Sequence, residues 1–83
     1  MTIKRFLALS MPERARWLYF NGQLITSIRY YRHKVNLYLI EKMYVEVFYN
    51  HLEDRVDQIE PLDTRSKRMN FYADQIQLPT NLI

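Results

Sequence analysis

The sequence predicts an α+β domain: two N-terminal helices, a three- or four-stranded antiparallel meander sheet, and a C-terminal helix. Three observations predict it. Val35, Leu37 and Leu39, then Val45, Val47 and Tyr49, alternate with period two across two neighbouring runs, as strands of a hairpin do. Ser10-Met11-Pro12-Glu13 is a capping box with proline in the first helical turn. Met69, Tyr72 and Ile76 recur at helical spacing after the last proline-interrupted strand. The chain of 83 residues forms one domain over 1–83.

Taken in order, Thr2 caps a short helix whose stripe is Ile3, Phe6 and Leu7. The capping box then opens a helix to about Asn21, with Met11, Ala15, Leu18 and Tyr19 facing inward, flanked by Trp17 and Phe20. Gly22, the single glycine, is expected to end that helix with positive φ. Leu24–Tyr31 is the first strand. Pairing Tyr30 with Val35 and Ile28 with Leu37 requires an even loop, Arg32-His33 or longer. Pairing Leu39 with Val45 and Leu37 with Val47 requires an odd one, most simply Glu41-Lys42-Met43. Neither turn contains glycine or asparagine, so a residue in left-handed geometry is expected there. Arg55–Glu60 is a fourth strand, stopped by Pro61 at an edge. Asp63 caps a last helix over about Thr64–Gln75, followed by an apolar-tipped tail, Leu78 to Ile83.

This register sorts the side chains onto two faces. Ile28, Tyr30, Val35, Leu37, Leu39, Val45, Val47 and Tyr49 fall under the helices. Ile25, Tyr38, Ile40, Tyr44 and Phe48 fall on the other face, with Arg29 and Glu46 placed to form an ion pair. That second face is too apolar for solvent.

Composition excludes several functions. Without cysteine there is neither a disulfide framework nor a cysteine-based zinc site, which fits a cytoplasmic location. No apolar run reaches the ~18 residues of a membrane span. His51, Glu53 and Asp54 form a polar turn without the spacing of a metal site. No nucleophile–base motif surrounds Ser10, Ser27 or Ser66. Glu46 among aromatics invites a role as a base, but an ion pair with Arg29 explains it more simply. The expected protein is therefore not an enzyme and takes no cofactor or metal. The net charge of +3 is unevenly spread. Seven cations against Glu13 alone give +6 before residue 41, which leaves −3 for the remainder.

Two functional expectations follow. The first is a protein-interaction or accessory module, homodimeric or docked to another protein through Ile25, Tyr38, Ile40, Tyr44 and Phe48. The second is a small RNA- or DNA-binding module. Its contacts are Arg29, Tyr31, Arg32, His33 and Lys34, which interleave cations with aromatic residues.

One likeness spans most of the chain. Ser10-x-x-Glu13-Arg14, Trp17, Gly22, Arg29, Val35-Asn36-Leu37-Tyr38, Tyr44-Val45-Glu46-Val47-x-Tyr49, Ile59, Tyr72 and Ile76-x-Leu78 together resemble a group of small bacterial proteins with no established activity. The resemblance implies a shared fold and no catalytic residue. Arg65–Arg68 departs from the more apolar start that the last helix has in that pattern.

Overall fold

The computed structural model describes residues 1–75. Its elements are α1 (Ile3–Leu7), α2 (Met11–Asn21), β1 (Gln23–Tyr30), β2 (His33–Ile40), β3 (Met43–Asn50), β4 (Arg55–Pro61) and α3 (Arg68–Gln75). The sheet is an antiparallel meander in the order β1-β2-β3-β4. Ile76 and the expected tail lie outside the described residues. Among the described residues no helix is long and apolar enough to cross a membrane.

The helix starts follow their local chemistry. Thr2 Oγ1 accepts from the Arg5 amide at 3.1 Å. At Ser10 both halves of the capping box form: Glu13 N donates to Ser10 Oγ at 3.3 Å, and Ser10 N donates to Glu13 Oε1 at 2.8 Å. Of the expected inner stripe of α2, Leu18 is buried, whereas Met11 and Tyr19 are exposed. Arg14, one turn before Leu18, takes the core-facing place instead. Its guanidinium donates to Leu7 O (2.9 Å), Leu9 O (3.2 Å) and Ile59 O (2.7 Å), joining the end of α1 to edge strand β4. These carbonyls would otherwise lack partners.

Gly22 corrects the expectation of positive φ. It is extended, with φ −90° and ψ 158°, and its N–H donates to Leu18 O at 2.8 Å. The glycine is required by space: a Cβ there would sit 2.8 Å from Leu18 O. Left-handed geometry occurs instead in the turns, as the missing glycines predict. Tyr31 has φ 57° and Glu41 φ 56°, each first in a two-residue loop; Asp54 has φ 52°.

The register also differs from expectation. The β2–β3 connection is Glu41-Lys42, two residues rather than three. Leu37 therefore faces Glu46, Leu39 faces Tyr44, and Tyr38 faces Val45. The β1–β2 loop is even, as expected, but consists of Tyr31-Arg32, so Ile28 pairs with Val35 and Tyr30 with His33. One residue of loop length moves every β3 side chain to the opposite face.

The consequence is a sheet covered on both sides. Phe6 of α1 and Leu18 of α2 pack against Ile40, Val45, Val47 and Ile59, with Tyr38 beside them. On the reverse, Tyr72 and Met69 of α3 pack against Ile28, Val35, Leu37 and Phe48. The single aromatic outer face expected from the sequence does not exist. Tyr38 and Ile40 belong to the α1–α2 side, and Phe48 and Ile25 to the α3 side. Tyr44 alone of the five is exposed, near Ile3 and Leu62.

α3 begins later than Thr64. Asp63 caps a preceding turn, accepting from Arg65 N at 2.9 Å, and Ser66 Oγ accepts from Arg68 N at 3.1 Å. What holds α3 down is an ion pair. Glu46, 1% exposed, accepts from Arg68 Nε (2.7 Å to Oε2) and Nη2 (2.9 Å to Oε1), and from the Tyr72 hydroxyl (2.7 Å). The Arg68 guanidinium lies over the rings of Phe48 (4.9 Å) and Tyr30 (5.3 Å). Arg29, expected to pair with Glu46, lies on the other face.

Candidate nucleic-acid interface

The candidate site is the β1–β2 hairpin and the sheet surface leading from it. Turn length positions its side chains. Since Tyr31 and Arg32 form the loop, Arg29 and Lys34 are cross-strand neighbours on the α1–α2 side, and both are exposed. Ser27 and Asn36 are the next pair on that face, and Ser27 Oγ donates to Asn36 Oδ1 at 2.6 Å. Lys34 is in turn opposite Tyr49.

Tyr31 is 86% exposed and meets the Tyr30 ring edge to face, centroids 4.6 Å apart. Tyr30 is anchored by Arg68 and by Phe71 at 5.9 Å. A solvent-facing ring is thus supported by a half-buried one. Arg29, Arg32 and Lys34 are exposed, and none makes an ion pair among the described residues. The adjacent acids are engaged: Asp54 accepts from the Tyr49 hydroxyl, and Asp57 from Arg55 and Asn50.

His33, expected beside these cations, turns away from them. It lies on the α3 side, where Nε2 is 2.8 Å from Asp57 Oδ2 and its ring meets Phe48 edge-on at 5.7 Å. Asp57 also takes Arg55 Nε at 3.0 Å and Asn50 Nδ2 at 3.3 Å. The His33 hydrogen bond holds the Asp57 carboxyl below its ordinary range, with Arg55 and Asn50 adding to the effect against partial desolvation. No spacing or composition in the sequence marks this network. It depends on a register shift in β4 between the partners of Phe48 and Tyr49, which leaves Asp57 as the extra residue. Its role is to tie the base of the hairpin to β4.

The Glu46–Arg68–Tyr72 cluster was also missed, although its signal was present: a carboxylate inside an apolar strand, and Arg68 four residues before Tyr72 on one helix face. His51, Glu53 and Asp54 gather no metal-binding set; no group of three or more potential ligands occurs among the described residues.

Chemically, the hairpin offers fixed positive charge beside a flat, exposed π face. Comparison of the chain with known protein families, with curated proteins and with solved structures finds no match.

Proposed function

We propose that this protein is a small nucleic-acid-binding module that contacts RNA or DNA through the β1–β2 hairpin. The observation that supports this reading is the combination at one hairpin of Tyr31, almost wholly exposed, with Arg29, Arg32 and Lys34, three cations that make no ion pair among the described residues. Cations hold phosphate by releasing its counterions, and an exposed aromatic ring stacks on a base. The function is one of binding, without a catalytic step, in a reducing compartment such as the cytoplasm.

Fluorescence anisotropy with labelled oligonucleotides tests it. Binding should weaken steeply as salt rises, and replacing Arg29, Arg32 and Lys34 together with alanine should flatten that salt dependence. Absence of binding by the wild-type protein at low salt overturns the reading.

A second reading, protein interaction, rests on another surface. Tyr19 and Phe20 at the end of α2 are 83% and 73% exposed, stack edge to face at 5.2 Å, and lie near exposed Leu24 in sequence. Homodimerisation through them would be lost in Phe20→Asp, with sedimentation velocity as the measure. A wild-type protein that is monomeric at high micromolar concentration excludes it.

A further inference from the structure

The α1–α2 side of the sheet is not fully covered. Between α2 and the strands runs a groove of about 250 Å³. Ala15 and Tyr19 of α2, Val56 of β4, and Asn36, Tyr38 and Tyr49 of β2 and β3 line it. Register puts Arg29 and Lys34 at its mouth, since Lys34 faces both Arg29 and Tyr49.

We infer that this groove is the base-binding subsite of a single-stranded polynucleotide, receiving one unstacked nucleobase while its flanking phosphates rest on Arg29 and Lys34. The inference rests on the nucleic-acid reading and extends it from a charged hairpin to a defined ligand class. Three features select this occupant. The lining is mainly apolar and includes three tyrosines, the surface on which a flat heterocycle is held by stacking. Its amide is pre-oriented: Ser27 donates to Asn36 Oδ1, so Asn36 Nδ2 is the group left to donate to a ring nitrogen or carbonyl. Among the described residues Nδ2 has no other partner within the protein. The charge at the mouth is positive, and Arg29 and Lys34 make no ion pair among the described residues, which suits phosphate.

The groove admits one ring system. A base held in a duplex cannot enter it without being unstacked and unpaired. Single strands should therefore bind at least tenfold more tightly than duplex of the same sequence. The 2′-hydroxyl has no assigned contact, so RNA and DNA single strands should bind alike.

The test compares four proteins, wild type, Tyr19→Ala, Asn36→Asp and the Arg29/Arg32/Lys34 triple alanine variant, by anisotropy. The probes are a labelled mixed-sequence oligoribonucleotide, its deoxy counterpart and the matching duplex. Tyr19 is exposed and makes no hydrogen bond among the described residues, so its replacement leaves the fold intact. Tyr19→Ala should lose about tenfold in single-strand affinity, the scale of one stacking contact, and leave duplex affinity unchanged. Asn36→Asp keeps the acceptor for Ser27 while removing the donor; its added charge weakens single strand and duplex alike, so the donor is read as the further loss, about tenfold, on single strands alone. Equal affinity for single strand and duplex, or a Tyr19→Ala variant that binds single strands as wild type does, overturns the groove while the triple variant still reports on the hairpin. Wild-type protein that binds none of the probes overturns both.

Discussion

Arg68 meets Glu46 with two parallel hydrogen bonds, 2.7 and 2.9 Å, across a boundary between helix and sheet that water does not reach on the carboxylate side. A buried carboxylate is tolerated only while its charge is matched and its lone pairs are occupied. Arg68→Ala should therefore cost about 3 kcal/mol, most of it the penalty of an unpaired buried charge. Replacing both residues with methionine should cost much less than Arg68→Ala alone. Urea denaturation of the two variants measures the contrast; equal losses would show that packing, not charge, fixes α3.

Tyr72 carries the same argument into pH. Burial first, and then its hydrogen bond to Glu46, push its hydroxyl far above the ordinary value of 10.0. Because the folded state keeps this proton more tightly than the unfolded chain does, the stabilisation is complete below pH 10 and is lost as pH rises beyond it. A spectrophotometric titration should show Tyr72 ionising only with unfolding, and Tyr72→Phe should abolish that one late-titrating phenol.

Gly22 gives a prediction about space. Alanine is comfortable at φ −90°, so backbone strain is not at issue. Its methyl would nevertheless lie 2.8 Å from the Leu18 carbonyl oxygen, which cannot swing aside. Gly22→Ala should cost about 1–3 kcal/mol by overpacking, and Leu18→Ala in the same chain should not recover it, since the clash is with backbone. Thermal denaturation of the single and double variants decides this.

Tyr31 separates stability from binding. As a non-glycine residue at φ 57° it carries about 1–2 kcal/mol of local strain. Tyr31→Gly removes that strain but adds chain entropy and loses the edge-to-face contact with Tyr30. These terms should offset to within about 0.5 kcal/mol, while affinity for nucleic acid drops about tenfold with the stacking face. A variant that loses more than about 1.5 kcal/mol would show that the exposed ring is a structural prop rather than a contact surface.

The local signals in the sequence were legible because each has a local cause. Thr2 and Ser10 cap their helices through their own side chains, and turns without glycine place Tyr31 and Glu41 in left-handed geometry. Strand parity was not legible. Both faces of β3 are buried, so Val45, Val47 and Phe48 give no contrast between inside and outside, and only the length of the Glu41-Lys42 turn decides. At the hairpin Arg29, Arg32 and Lys34 are exposed, whereas His33 turns to Asp57, whose position is set by a bulge that leaves no mark in composition. The expectation of one greasy sheet face failed because α1–α2 and α3 each shield a different set of those side chains.

The pairing of residue 46 with residue 68 has a bearing on synthesis. While β2 and β3 emerge from the ribosome, Val35, Leu37 and Phe48 have no helix over them, and Glu46 stands in their midst with its charge bare. The acid precedes its cation by 22 residues, so burying it before residue 68 arrives costs the desolvation of an uncompensated charge. Closure of that side of the sheet is thereby tied to the segment that carries Arg68.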